Sequence, residues 1–255
     1  MPSIIPAALL ILGLALPVVA QTKALTAPEF IATVKAAAPK GGVYLRGRME
    51  QTSPTGKTVL QLQIKRRSLA DGSSEHLYQL LFPKERKGES LLLHVKGNGF
   101  TGSSFIPGKG VTKLTSADRK LKVFGTDMTI DNILTDFLDW PKPEIIAHEK
   151  IGTADCSVVL CKEGSKKVKC WMDEKRYVPM KIEFYDSGDQ PTRIVETGKV
   201  VRMDSGYFIP VSFTLSTPAT GTSTLIEGTR SDTVSNYTDA DFTEAAMQAI
   251  TGAPK

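Results

Sequence analysis

The stretch Val59-Leu60-Gln61-Leu62-Gln63-Ile64-Lys65 decides the fold class of this chain. Leu60, Leu62 and Ile64 alternate with Gln61, Gln63 and Lys65. Successive side chains of a strand point to opposite faces, so this period of two describes a strand with one apolar face. The turn composition Thr52-Ser53-Pro54-Thr55-Gly56 precedes it and links it to a strand expected over 42–50. Further strands are expected at 75–82, 89–95 and 99–106. A second series is expected at 144–151, 154–162, 167–173, 178–185, 193–203, 207–217 and 222–231. In it, Tyr207, Ile209, Val211, Phe213 and Leu215 again keep to one face. Turns about every 8–12 residues suit an antiparallel sheet or barrel.

Three segments depart from this period. Thr26-Ala27-Pro28-Glu29 is a capping box with proline in the first turn, opening a helix to about Ala38. Phe30, Ile31 and Val34 lie on one side of it, and Pro39-Lys40-Gly41-Gly42 ends it. Residues 128–138 read as an amphipathic helix, because Ile130, Ile133, Leu134, Phe137 and Leu138 recur at spacings of three and four. Trp140-Pro141-Lys142-Pro143 stops that helix. Residues 239–250 end the chain as a short helix, with Phe242, Ala246, Met247 and Ile250 near helical spacing. The expected architecture is mainly β with an α lid: about a dozen antiparallel strands, a helix at each end and one in the middle.

Hydrophobic residues are 41% and charged residues 23% of the 255, an ordinary globular composition that excludes wholesale disorder. A chain of this size needs neither metal nor disulfide to fold. Residues 1–20 carry no charged side chain. The apolar run from Ile4 to Leu16 is broken only by Pro6 and Gly13, and Pro17-Val18-Val19-Ala20 comes next. This reads as a secretory signal peptide cleaved after Ala20, since the run is shorter than a membrane span requires. No linker or repeat divides residues 21–255, which read as one exported domain. In such an oxidising compartment the three cysteines matter. Cys161 and Cys170 flank the turn Glu163-Gly164-Ser165-Lys166, a position open to a cross-hairpin disulfide, which leaves Cys156 over.

No catalytic or cofactor motif stands up to its own structural requirement. Gly97-Asn98-Gly99-Phe100-Thr101-Gly102 matches a dinucleotide fingerprint, but the adjoining Ser103-Ser104-Phe105-Ile106-Pro107-Gly108 is not helical. Gly56-Lys57-Thr58 imitates the end of a phosphate-binding loop, but Gln51 stands where glycine is required. His76, His94 and His148 are scattered, and no metal is expected. Asp127 and Asp131, four apart, read as a helix cap and a solvated face. Lys65-Arg66-Arg67 and Lys166-Lys167 are short runs and aromatics are 7%, so nucleic acid is not an expected partner. The net charge of +5 fits contact with anionic lipid or an acidic partner.

A curled sheet must fill or cover its inner face. The apolar supply there is Leu60, Leu62, Ile64, Leu80, Phe82, Leu91, Leu93, Met180, Ile182, Phe184, Ile209, Val211 and Phe213. That face either suits an acyl chain, for which each buried CH₂ contributes about 0.8 kcal/mol, or packs only on itself and the helices; composition does not choose between the two. The helix carrying Ile130, Ile133, Leu134, Phe137 and Leu138, with the terminal helices, would serve as the lid.

The C-terminal half resembles the LolA-like outer-membrane lipoprotein-sorting family. The resemblance is carried by Phe124-Gly125-Thr126-Asp127-Met128, by Asp155-Cys156-Ser157-Val158-Val159-Leu160 and by Cys170-Trp171-Met172-Asp173-Glu174-Lys175-Arg176-Tyr177. It continues through Val178-Pro179-Met180-Lys181-Ile182-Glu183-Phe184-Tyr185-Asp186, Gly206-Tyr207-Phe208-Ile209-Pro210 and Tyr237-Thr238-Asp239-Ala240-Asp241-Phe242-Thr243. It implies an unclosed antiparallel barrel covered by short helices. It also implies a periplasmic location and carriage of lipoproteins, by their acyl chains, across the periplasm to the outer membrane, between inner- and outer-membrane transfer proteins, without catalysis. Family carriers have a lid-latching arginine in a Lys-Arg-Pro context; Arg66 in Lys65-Arg66-Arg67 lies at the comparable place, without the proline. The alternative functions are an envelope sensor or interaction module on the same fold, and a secreted enzyme of unfamiliar chemistry.

Overall fold

The computed structural model describes residues 25–252, apart from 38–40, 98, 135, 205 and 235. The expected signal peptide, 1–20, lies outside the described residues.

Alternating segments joined by tight turns build two antiparallel meanders. The first holds β1 (Gly42–Ser53), β2 (Gly56–Ser68), β3 (Ser74–Phe82), β4 (Ser90–Lys96), β5 (Gly99–Ile106) and β6 (Gly110–Leu114). The second holds β7 (Glu144–Ile151), β8 (Ala154–Glu163), β9 (Lys166–Asp173), β10 (Pro179–Tyr185), β11 (Arg193–Arg202), β12 (Phe208–Thr217) and β13 (Thr222–Val234). One 13-stranded sheet results, in the order β6-β5-β4-β3-β2-β1-β13-β12-β11-β10-β9-β8-β7. The first strand therefore pairs with the last, and β6 and β7 remain as edges. The barrel is unclosed, as expected; β6 is additional to the expected strands, being too short and polar to show an alternation.

The sheet is strongly curled. His76 and Tyr78 on β3 and Cys170 and Met172 on β9 line one cavity. These strands are seven places apart, which in a flat sheet would be about 33 Å. At the β1–β13 seam, Gly47 faces Gly228 beside a register shift between Arg46 and Gly47. A Cβ at Gly47 would lie 2.6 Å from the Glu227 carbonyl oxygen, and one at Gly228 would lie 3.0 Å from that of Val211. Without those carbons the central strands can bend and approach closely.

The concave face carries two apolar clusters. In one, Met49, Leu60, Leu62, Leu80, Leu93, Leu215 and Ile226 pack against Met128, Ile130 and Leu134. In the other, Val159, Cys161, Val168, Cys170 and Ile182 pack against Phe30, Ile31, Val34, Phe137 and Trp140. Burying each large side chain contributes about 1.5–3 kcal/mol. The second cluster is closed by α1 (Ala27–Ala36), whose capping box is present: the Thr26 N–H donates to Glu29 Oε2 at 2.8 Å.

The segment between the two edges crosses the mouth of the half-barrel. It is not the continuous helix expected over 128–138. It holds α2 (Ile130–Leu134) and a separate 3₁₀ turn, Asp136–Asp139. Thr129, Asp131 and Asn132 favour local hydrogen bonds over helix propagation: Asn132 Oδ1 accepts from the Thr129 N–H at 2.9 Å and its hydroxyl at 2.8 Å. The break lets α2 reach the first cluster and Phe137 the second.

The C-terminal helix is not part of the lid. The 3₁₀ turn Asp239–Phe242 and α3 (Glu244–Gln248) lie on the convex face, where Phe242 and Met247 pack on Tyr44, Leu77 and Leu92. Convex-face side chains accept this segment by donating to its carbonyls. Gln79 Nε2 donates to Ala246 and Met247 at 3.1 Å, Ser90 Oγ to Met247 at 2.8 Å, and Gln63 Nε2 to Thr251 at 2.8 Å. Carbonyls at a helix C-terminus have no partner within the helix, so these side chains supply one. Gln63 and Lys65, on the polar side of β2, are buried beneath this segment.

Candidate functional site

Between the concave face and the insert lies a cavity of about 400 Å³. That is within the range of small-molecule pockets. Leu62 and Ile64 of β2, Ile182 and Phe184 of β10, and Ile209, Val211 and Phe213 of β12 form its walls. Ile133, Phe137 and Leu138 close it from the insert side, and Val34 of α1 and Ala37 just past its end close it from the other. Leu60, Leu80, Leu91, Leu93, Ile130 and Leu134 share the concave face but belong to the packed cluster beside the cavity.

Two expected wall residues lie elsewhere. Phe82 is 47% exposed, because the register shifts between Gln61 and Leu62 and the end of β3 loses phase with β2. Met180 packs with Trp171, Ala154 and Val158 on the convex side, because a register shift between Pro179 and Lys181 turns Pro179 inward instead. Conversely, Val43, Leu45 and Met49 of β1 line the cavity. Tyr44, apolar between Val43 and Leu45, hides their alternation because the C-terminal segment covers its convex side.

One corner of the wall is polar. Arg66, Ser68, His76 and Tyr78 line it. Arg66 stands opposite Val43 on one side and His76 on the other. The His76 and Tyr78 rings are parallel, with centroids 6.4 Å apart. His76 Nε2 lies 2.9 Å from Ser74 Oγ. Arg66 is an exposed side chain that opens into the cavity. Burial pushes the Tyr78 hydroxyl up to about 12 against the opposing effect of Arg66.

Burial, and secondarily the Arg66 charge, hold His76 well below 6.5, so it is neutral in the folded protein. The unfolded chain protonates this imidazole below about pH 6.5 while the folded chain does not. Stability contributed by neutral His76 is present above that pH and is lost as pH falls, with a slope of up to about 1.4 kcal/mol per pH unit. Urea unfolding between pH 7.5 and 5 should show this slope, and His76→Gln should flatten it.

The expected latch is not formed by Arg66: among the described residues no hydrogen bond joins it to the insert. Asp127 fastens the insert instead. It is 1% exposed, not a solvated cap. Its Oδ1 accepts from the Thr217 and Thr222 hydroxyls at 3.2 and 2.5 Å, and its Oδ2 from Thr224 at 3.1 Å. The Asp127 N–H donates back to Thr224 Oγ1 at 3.0 Å. Arg193 Nη1 adds a bond to the Thr129 hydroxyl at 2.8 Å.

The cysteines are buried free thiols. Cys170 stands opposite Val159 and Cys161 opposite Val168, so the expected pair Cys161 and Cys170 is diagonal. Diagonal Cβ atoms are too far apart for the roughly 3.5–4.5 Å a disulfide requires. Burial pushes the Cys161 thiol up to about 11 and the Cys170 thiol well above its ordinary value.

Beyond the cavity lies a second hollow of about 610 Å³, lined by Arg119, Lys120, Lys166, Lys167 and Arg193 with Asp131 and Asp186. Asn132, Phe137 and Phe184 border both spaces. Phe137 and Phe184 meet edge to face, with ring centroids 6.1 Å apart. Among the described residues no group of histidine, cysteine and carboxylate side chains is placed to hold a metal, and no helix is long and apolar enough to cross a membrane.

A family model described as "-like: Uncharacterized protein" matches residues 72–249. No curated protein matches the chain in sequence. Solved structures do match in fold. A DUF1329 family protein from Desulfovibrio piger superposes with a TM-score of 0.80 at 14% identity, covering 87% of this chain and 98% of that one. An outer membrane lipoprotein-sorting protein domain from Vibrio parahaemolyticus gives 0.80 at 17% identity, covering 87% and 98%. A LolA superfamily protein from Nitrosomonas europaea gives 0.66 at 16% identity, covering 88% and 100%. At these identities the likeness is one of fold, and the fold is LolA-like.

Proposed function

The chain belongs to the family matched over residues 72–249 and has the LolA-like fold; from that premise we propose that it is a periplasmic carrier of acyl chains. It sequesters the chains of lipoproteins or other lipids in the half-barrel and delivers lipoproteins toward the outer membrane. Its exchange partners are lipoprotein-transfer proteins of the inner and outer membranes, and its work is retention and release rather than bond making. Residues 21–255 act as one unit, exported by the cleaved segment 1–20.

The observation that carries this reading is the apolar cavity between the concave face and the insert. Apolar walls hold a hydrocarbon chain by excluding it from water, about 0.8 kcal/mol per CH₂. Opening requires that the insert or α1 lift from the sheet, since these two segments cover the strands that form the rest of the wall.

The protein is expressed with export, purified without detergent, and examined by native mass spectrometry, lipid extraction and uptake of a fluorescent acyl probe. A bound lipid or acylated protein, with uptake by the emptied protein, is the expected result. A clean apo mass together with failed uptake sinks the reading. Phe213→Asp should reduce uptake by about tenfold or more while the chain stays folded, because Phe213 is only partly buried and borders the cavity. Unchanged uptake by the folded variant would remove Phe213 from the site.

A further inference from the structure

Three consecutive basic residues of β2 have different surroundings. Lys65 and Arg67 face the convex side, and both have carboxylate partners. Lys65 Nζ lies 4.0 Å from Asp241, and Arg67 pairs with Glu75 and Asp239. Arg66 points into the apolar cavity, and among the described residues its guanidinium has no ion pair or hydrogen bond. Its neighbours across the strands are Val43 and His76. His76 is neutral, and the Tyr78 hydroxyl keeps its proton. Neither offsets the charge, and the Tyr78 hydroxyl has no hydrogen bond of its own among the described residues. The Arg66 side chain is exposed in the cavity, and a guanidinium cannot shed its proton, so it presents a fixed, hydrated positive charge beside an apolar wall, free to pair with an entering anion.

We infer that the ligand is an acidic amphiphile whose carboxylate or phosphate head group pairs with Arg66 while its acyl chain runs along the cavity toward Phe137 and Phe184. This rests on the acyl-chain part of the carrier reading and narrows the ligand from the neutral esters and amides of lipoproteins to a lipid with a charged head group. The geometry supplies both ends. Arg66 lies where β2 finishes and β1 begins, whereas Phe184 lies near the end of β10, which runs opposite to β2. The polar corner and the phenylalanine pair are therefore at opposite ends of the half-barrel. The forked guanidinium matches the two oxygens of a carboxylate or phosphate, and the Tyr78 hydroxyl is placed to donate beside it. A chain capped as a neutral ester or amide offers Arg66 no charge.

The test uses the full chain purified without detergent and then emptied of lipid. Palmitate, palmitoyl lysophosphatidate and methyl palmitate compete with a fluorescent acyl probe. Palmitate and the lysophosphatidate are expected to bind about tenfold or more tighter than the methyl ester. The tighter of the two acids identifies the head group. Arg66→Leu should abolish the preference of acid over ester, and Arg66→Lys should retain part of it. Inorganic phosphate in excess should not displace the probe; displacement would mean that the anion needs no chain, overturning the amphiphile.

Equal binding of acid and ester by the unaltered protein overturns the head-group assignment, and that comparison needs no variant. An acid preference that survives in Arg66→Leu overturns the role of Arg66. Both results leave acyl carriage standing. Failure of all three probes and the fluorescent one overturns carriage itself, and the head-group assignment with it.

Discussion

Asp127→Ala should lower stability by about 3 kcal/mol and release the insert from the sheet. Three threonine hydroxyls converge on this one buried carboxylate. Hydrogen bonds to a charged group contribute about 1.5–3 kcal/mol each. Relief of the carboxylate's own desolvation offsets part of their sum. What remains is the cost of three hydroxyls losing their acceptor, with Thr224 fully buried. Urea unfolding measures the stability, and amide hydrogen exchange over 121–134 reports the insert. Asp127→Asn, which keeps one carbonyl acceptor, should fall between the two proteins. Wild-type stability and wild-type protection of the insert in Asp127→Ala would show that the hydroxyl cage is not the fastening.

A larger loss is expected for Gly47→Val, about 4 kcal/mol or more, enough to prevent accumulation of folded protein. The added Cβ would sit 2.6 Å from the Glu227 carbonyl oxygen, and the obstacle is backbone rather than a movable side chain. The branched side chain would press on the same seam, where overpacking has no free volume to use. Gly47→Ala should cost about half as much, and Gly99→Ala should lie within about 0.5 kcal/mol of the unaltered protein. At Gly99 the nearest atom to a new Cβ is 3.7 Å away, an ordinary contact. Soluble yield, circular dichroism and urea midpoints would rank the three variants. Equal midpoints for Gly47→Ala and Gly99→Ala would remove the seam argument.

The alternation of Leu60, Leu62 and Ile64 is enough to read the sheet, because burial on one face of a strand selects every second residue. The same rule explains what it misses. Phe82 and Met180 fit the pattern in sequence but lie past register shifts, which are invisible in a single strand. Gln63, Lys65 and Gln79 look like a solvated face. They are buried because the C-terminal segment, remote in sequence, lies over them: Gln79 donates to α3 carbonyls, Gln63 to the Thr251 carbonyl and Lys65 to the Thr251 hydroxyl. Gly110–Leu114 escapes notice because a five-residue edge strand has little to bury.

The candidate site divides in the same way. Its apolar wall on β2, β10 and β12 is legible, since packing and cavity lining require the same residue types. Its polar corner is not. Arg66 reads as one of three consecutive cations, and only the pleat turns it inward alone. Asp127 looks like a cap because the threonines that bury it belong to a hairpin about ninety residues later. The break between α2 and the 3₁₀ turn Asp136–Asp139 is hidden by apolar spacing that either arrangement satisfies.

The seam between β1 and β13 also sets the order in which the protein can be assembled. Each meander is made of hairpins that close locally, but Gly42 must wait for Val234. Until the last strand has been synthesised, one whole edge of β1 has no partner. A closure this distant gives the chain a high contact order, and such topologies fold slowly for their size. The waiting edge is long, and unpaired edges recruit strands from other chains. Self-association during biogenesis, rather than melting of the finished sheet, is the hazard this topology carries.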